Sequence, residues 1–255
     1  MRLDRFLCEL NMGSRSQVRK LVRQGLVTVN GIPAASPEQK IDELSDEIRF
    51  RGEKLQYRKF VYYMMNKPQG VVSASRDNAQ RTVVSLLGED AREDIFPAGR
   101  LDKDVTGLLL LTNDGELAHR LLSPKMHVDK TYRAVLAHKL SAEDIRRLET
   151  GVDIGEERLT LPARVTVLES ADADPENAVL LTLHEGKFHQ VKRMLQAVDN
   201  QVVQLRRIAF GGLRLDPRLA PGAYRALTPE ELEILRRSGA ERRLPQEDRK
   251  SEKNV

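Results

Sequence analysis

The chain has 255 residues, 40% of them hydrophobic, which suits one large domain or two smaller ones with their own cores. Aromatic residues are only 4%, and charged residues reach 31% with a mildly basic formal charge of +4. Apolar runs such as 61–65 and 107–111 fall far short of the roughly 18 residues that span a bilayer, and Cys8, the only cysteine, excludes an internal disulfide or a cysteine-cluster zinc site.

The charge is unevenly placed. Residues 1–31 hold Arg2, Arg5, Arg15, Arg19, Lys20 and Arg23 against Asp4 and Glu9, as much net charge as the whole chain carries. A polyanion such as nucleic acid is the natural partner for that end. The same stretch is amphipathic and Arg-bearing, with no signal-peptide core, so the expected compartment is the cytoplasm.

Leu3, Phe6, Leu7 and Leu10 have the spacing of a helical apolar stripe. Ser14 and Gln17 match a capping box opening a second helix, with Val18, Leu21 and Val22 facing inward and Gly25 at its end. Arg15, Arg19 and Arg23 lie four apart and share one face of that helix, beside Lys20. Val27, Thr28 and Val29 alternate as a strand does, and Asn30-Gly31 is a tight-turn signal. These elements make a compact module over residues 1–58, ending near 56–59 in a flexible linker.

A second segment, 60–236, mixes strands and helices. Strands are expected over 60–66, 108–112, 131–136, 164–168, 178–184, 202–205 and 213–215. Ser141 and Asp144 cap a helix that ends near Gly151. Phe188, Val191, Leu195 and Val198 fit the period of another helix, over 188–198. Thr228, Pro229 and Glu231 open a last one. Many strands with dispersed helices predict an α+β fold. A polar loop is expected at 170–177. Residues 239–255 are polar without an apolar face, so a charged, disordered tail is expected there.

The densest charged segment is Gly99-Arg100-Leu101-Asp102-Lys103-Asp104-Val105-Thr106-Gly107, which feeds the apolar run 108–111. An acidic residue in a loop leading into a buried strand is held firmly, as a catalytic group must be. The same residues also fit a solvated turn. Asp102 and Asp104, two apart, would permit a metal-binding pair, but no His or Cys lies near to complete it. A second cluster, Glu185-Gly186-Lys187-Phe188-His189-Gln190-Val191-Lys192-Arg193-Met194, places two cations on a helix, able to bind phosphate or pair with a carboxylate. No nucleotide-binding glycine motif and no serine-hydrolase elbow occurs.

Residues 1–31 resemble the S4 RNA-binding domain. The remainder resembles the pseudouridine synthases of the RsuA group. The carrying stretches are Met65-Asn66-Lys67-Pro68-Gln69-Gly70, the block 99–111 with Thr112-Asn113-Asp114-Gly115-Glu116-Leu117-Ala118-His119-Arg120-Leu121, Lys130-Thr131-Tyr132, the 185–194 cluster and Pro221-Gly222-Ala223-Tyr224-Arg225. They follow the family's order along nearly the whole chain.

This resemblance implies an S4-like module followed by a catalytic domain with a mixed, largely antiparallel sheet flanked by helices. It implies an enzyme that isomerises uridine to pseudouridine in RNA without cofactor or metal. Asp102 would be the essential aspartate, attacking C1′ or removing a ribose proton. Tyr132 would be the active-site tyrosine, stacking on uracil or helping remove the C5 proton. Lys192 would be the cation paired with the aspartate. Leu205 would pack on the uracil ring, Arg100 would fill the gap left by the everted nucleotide or grip phosphate, and Arg193 would also meet substrate. Arg15, Arg19, Lys20 and Arg23 would supply RNA affinity. The implied partner is ribosomal RNA, free or in a partly assembled small-subunit particle, with no membrane and no nucleotide cofactor. Within the group, the 67–70 and 189–193 segments are most similar to the 16S enzymes, whose usual target is uridine 516. The rivals are a 23S enzyme of the same group and a non-catalytic S4 protein of ribosome assembly.

Overall fold

The computed structural model describes residues 1–43, 45–55, 57, 59–168 and 177–238. The disordered tail expected at 239–255, and all of the polar loop expected at 170–177 except Asn177, lie outside these.

The N-terminal unit opens with α1 (Leu3–Glu9) and α2 (Arg15–Arg23). The capping box forms: the Ser14 amide donates to Gln17 Oε1 at 2.7 Å, and the Gln17 amide donates back to Ser14 Oγ. Strands β1 (Val27–Val29), β2 (Ile32–Pro33), β3 (Ile48–Phe50) and β4 (Glu53–Lys54) form a sheet in the order β2-β1-β3-β4. Asn30 and Gly31 both take positive φ, as a two-residue hairpin turn of this kind requires. Leu3, Phe6, Leu7, Val18, Val22, Val27, Val29, Ile41 and Ile48 fill the core between helices and sheet. Leu21 is only half-buried, because Val18 and Val22 already cover the inner face.

The second unit carries β5 (Tyr62–Lys67), a 3-10 turn at Val84–Asp90, β6 (Phe96–Ala98), β7 (Thr106–Thr112), α3 (Gly115–Leu122), β8 (Lys130–Leu136), α4 (Ala142–Thr150) and β9 (Arg164–Val167). It continues through β10 (Ala178–Leu183), α5 (Gln190–Gln196), β11 (Val202–Phe210), β12 (Leu213–Arg214), β13 (Tyr224–Ala226) and α6 (Pro229–Ser238). Nine strands form one sheet in the order β13-β5-β7-β11-β8-β10-β9, with β12 on β11 and β6 on β7. Among the described strands of this sheet only β7 and β11 run parallel and the other pairs are antiparallel, so the fold is α+β with a mixed, largely antiparallel sheet.

Both faces of this sheet are covered, which explains the unbroken run Leu108–Leu111. Leu109 and Leu111 join the larger core with Leu101, Val105, Leu195 and Leu205. Leu108 and Leu110 point the other way, toward Leu117, Leu121, Phe210 and Leu235. All four are fully buried, and each contributes about 1.5–3 kcal/mol by leaving water. Gly107 has φ +101°, and a Cβ there would lie 2.9 Å from the Arg207 amide and collide with its carbonyl. Only glycine lets β7 and β11 approach so closely.

The two units also touch. Asn11 donates to the carbonyls of Glu89 and Ala91 at 2.6 and 2.9 Å, and Arg92 meets Glu9 and Asp94. Within the N-terminal unit, Tyr57 donates to the same Glu9 at 2.6 Å. These contacts add to the linker expected between the units.

Two sequence expectations need correction. The helix expected over 188–198 starts only at Gln190, because His189 sits in the left-handed region with φ 49°. Phe188 therefore lies outside the helix and is 72% exposed rather than buried. Asn113-Asp114-Gly115 reads as a turn, yet helix α3 starts at Gly115; Asp114 caps it by accepting from the Leu117 amide at 3.0 Å.

Candidate active site

Residues 99–105 link β6 to β7 and carry Asp102 and Asp104. The loop is held by its backbone. Lys67, at the end of β5, is completely buried and donates from Nζ to the carbonyls of Asp102 at 3.0 Å, Val105 at 2.9 Å and Pro68 at 3.1 Å. Burial pushes its pKa down to about 8, although Asp104 and Asp102 oppose the shift. Ser73 Oγ donates to the Leu101 carbonyl at 2.7 Å and accepts from the Leu101 amide at 3.0 Å. The Gly70 amide donates to the Lys103 carbonyl at 2.8 Å. With Leu101 and Val105 buried on either side, Asp102 projects from a fixed frame. Such support keeps a reactive group in place without a cost at the moment of reaction.

Asp102 is 30% exposed at its side chain, open to a ligand but shielded from bulk water on one side. Lys192, on α5, lies 3.6 Å from Asp102 Oδ2. Its hydrogen bonds go to Asp104, at 2.8 and 2.7 Å to the two carboxylate oxygens. The Lys192 ammonium holds the Asp104 carboxyl below the usual carboxylate range. The sequence reading paired Lys192 with Asp102 alone; in the structure one ammonium serves two carboxylates, with Asp104 nearer. His189 Nε2 lies 3.5 Å from Asp102 Oδ1, a neighbour that the sequence reading did not assign.

Asp104 and Lys192 open onto a cleft of about 290 Å³, also lined by Gln69, Thr106, Arg133, Leu205 and Arg206. That is just under the range of small-ligand sites, and Asp102 lies beside it rather than in its lining. Leu205 is buried at its apolar wall. Arg133 and Arg206 face each other across the β8–β11 pair. Neither stands out in the sequence, since half-buried Arg133 and exposed Arg206 carry no periodic signal. Tyr132 is half-buried on β8, packed against the core that holds Leu101 and Leu205; it does not line this cleft. Arg100 is exposed two residues before Asp102 and has no ion pair among the described residues.

Two expected RNA or substrate contacts are engaged elsewhere. Arg193 pairs with Glu156 at 2.8 Å and donates to the carbonyls of Phe188 and Ile154, so its guanidinium ties the 154–156 segment to the 188–193 turn. Arg19 is split between Asp4 at 3.4 Å and Glu38 at 3.2 Å, which removes it from the free ridge. Arg15, Lys20 and Arg23 stay exposed, with no ion pair among the described residues.

Comparison with known proteins agrees with this fold. The family described as RNA pseudouridylate synthase matches residues 61–197, and the S4 domain matches 1–48. The chain belongs to the RNA pseudouridylate synthase family and is an RNA pseudouridine synthase carrying an S4 domain. It is 52% identical to the RNA pseudouridine synthase YtzG of Bacillus subtilis over 92% of this chain and 98% of that one. It is 43% identical to the ribosomal small subunit pseudouridine synthase A of Vibrio vulnificus, over 91% and 98%. With the ribosomal large subunit pseudouridine synthase B of Bacillus subtilis it shares 38% identity, over 92% and 95%. A pseudouridylate synthase crystal structure superposes with a TM-score of 0.64 at 39% identity, covering 92% of this chain and 99% of the other. These place the chain in the group that holds both small- and large-subunit enzymes, and they set aside the non-catalytic rival.

Proposed function

We propose that this enzyme isomerises one uridine of 16S small-subunit rRNA, the uridine 516 position, using Asp102. The observation that carries the chemistry is the meeting of Asp102 and Asp104, on a backbone-locked loop, with Lys192 of α5, beside a cleft that Asp104, Lys192 and Leu205 line. Identity supports the 16S target: 43% to a small-subunit synthase against 38% to a large-subunit one.

The reaction is an isomerisation, so nothing need be supplied or lost. The N1–C1′ bond of the everted uridine breaks, the freed uracil turns, C5 bonds to C1′, and the C5 proton is lost as N1 gains one. Asp102 acts as an ionised carboxylate, either adding to C1′ or taking a ribose proton. Lys192 supplies the countercharge that lets Asp102 and Asp104 stay ionised side by side. Leu205 offers an apolar wall to the turning ring. Tyr132, reached as the base enters, stacks on uracil and assists removal of the C5 proton. Arg100 reaches the RNA backbone at the gap left by the flipped nucleotide, where unstacking costs a few kcal/mol. Exposed Arg15, Lys20 and Arg23 of the S4 domain add sequence-independent affinity for the rRNA, in a partly assembled particle in the cytoplasm. No described helix is long and apolar enough to cross a membrane.

The test is direct. Tritium release from 5-labelled uridine is followed with 16S and 23S transcripts and with small-subunit particles, and the modified position is mapped in cells with and without the protein. Release from 16S RNA at one mapped uridine is the expected result. Release from 23S RNA alone would replace the target with a large-subunit one.

A further inference from the structure

Phe188 is the most exposed large apolar side chain among the described residues, at 72%. Its ring stacks on His189, with centroids 3.8 Å apart and planes 19° from parallel. His189 in turn reaches Asp102 at 3.5 Å. A solvent-facing phenyl ring thus stands one imidazole away from the proposed reacting carboxylate.

The support under this ring is stiff. The Lys187 amide donates to Gln190 Oε1 at 2.8 Å, and Gln190 Nε2 donates to Glu185 at 2.6 Å. Arg193 donates to the Phe188 carbonyl at 3.1 Å, and its backbone amide donates to the His189 carbonyl at 3.0 Å. With one face on His189 and most of its surface exposed, the ring presents its other face outward. Holding an apolar ring rigidly in water has no folding benefit, so the arrangement fits a ligand with an apolar face. Bases of single-stranded RNA have such faces, and aromatic side chains stack on them. Everting a nucleotide strips its neighbour of a stacking partner.

We propose that Phe188, backed by His189, is a stacking platform for the nucleobase next to the everted uridine, and so a substrate-binding residue. The inference rests on the reading of Asp102 as the uridine site.

The experiment uses the full chain and a 16S rRNA fragment with 2-aminopurine placed beside the target uridine. Wild type should quench its fluorescence on binding, and Phe188→Ala should not. Phe188→Ala should raise KM by about 5- to 150-fold, with kcat at saturating RNA within about 3-fold of wild type. Phe188→Trp should keep both quenching and KM, and Phe188→Leu should behave like Phe188→Ala. Unchanged KM and quenching in Phe188→Ala would overturn the proposal. So would Phe188→Leu matching wild type, which would mean apolar packing without stacking. A fall in kcat at unchanged KM would place Phe188 in the chemistry of Asp102 instead. A defect seen on the assembled particle but not on free RNA would make the ring a protein-docking residue. If wild type converts no uridine in either rRNA, the proposed function fails, while quenching on bound RNA still reports on Phe188.

Discussion

Replacing Lys192 by Met keeps the stem and removes the charge from between Asp102 and Asp104. In wild type the ammonium lies 2.7 Å from one carboxylate and 3.6 Å from the other. At the 3.6 Å separation, Coulomb attraction is worth about 1 kcal/mol in water and about 5 kcal/mol at an effective dielectric near 20. Side-chain exposure of 30% at Lys192 and Asp102 pulls the value toward the lower end, roughly 1–3 kcal/mol. Without the ammonium, two carboxylates face each other and the pair holds a shared proton to higher pH. The sign is then fixed. In the proposed mechanism the carboxylate acts ionised, so Lys192→Met should lose rate at neutral pH and recover part of it as pH rises. Its acidic limb should move to higher pH than that of wild type. Lys192→Arg should retain much of the rate, and Asp104→Asn, which frees Lys192 for Asp102, should be milder than Lys192→Met. The assay is a single-turnover pH–rate profile beside an RNA-binding titration. Weakened RNA binding in Lys192→Met, with saturating rate and pH profile intact, would show that Lys192 grips phosphate and does not serve the carboxylates.

Asp102→Asn should abolish turnover while RNA binding and melting temperature hold; activity within about tenfold of wild type in tritium release would remove Asp102 from the chemistry. Changing Arg15, Lys20 and Arg23 together to Ala should lower the slope of log K against log salt by roughly 0.7–0.9 for each phosphate no longer neutralised, read by filter binding across a salt series. Gly107→Ala should destabilise by more than about 3 kcal/mol in urea denaturation, since its Cβ meets Arg207 backbone and φ is +101°. Lys67 has a folded pKa of about 8 against 10.5 free, so the unfolded chain binds more protons between those values and stability from this group rises with pH through that window. Lys67→Met should flatten that rise between about pH 8 and about pH 10, and should also loosen the Asp102 loop.

Periodic residues were readable where each element answers to its own neighbours in sequence. The Ser14 and Ser141 capping boxes, the Asn30-Gly31 hairpin and the alternating faces of the strands form as local chemistry dictates. Phe188 misled because helical spacing cannot reveal where a backbone turns left-handed, and His189 ends the pattern one residue inside it. Asp102 stood out through the motif, but its surroundings did not. Lys192 lies 88 residues from Asp104, and nothing along the chain says which carboxylate an ammonium will meet first. Lys67 reads as a polar strand end, yet its role is to fill a shell of carbonyls that only the folded loop creates. The parallel pairing of β7 with β11 likewise leaves no trace in either strand's pattern.

That one parallel pair bears on when the enzyme becomes able to act. Arg207 of β11 donates to the Leu108 carbonyl of β7 across 99 residues of chain, and the Asp102 loop leads directly into that seam. The strands of the hairpin-like pairs can find each other early, but this closure spans a stretch of chain that holds β8 to β10 and α5. Contacts of such long sequence separation form late and slowly, because loop entropy is lost before they give anything back. Asp102 and Lys192 come from opposite ends of the same loop closure. A nascent or partly folded chain can therefore present the S4 unit, with its cations, while Asp102 and Lys192 are still apart. RNA capture is expected to precede competence on the folding pathway. Pulse-labelled refolding should find protection at the α2 amides before protection across β7 and β11.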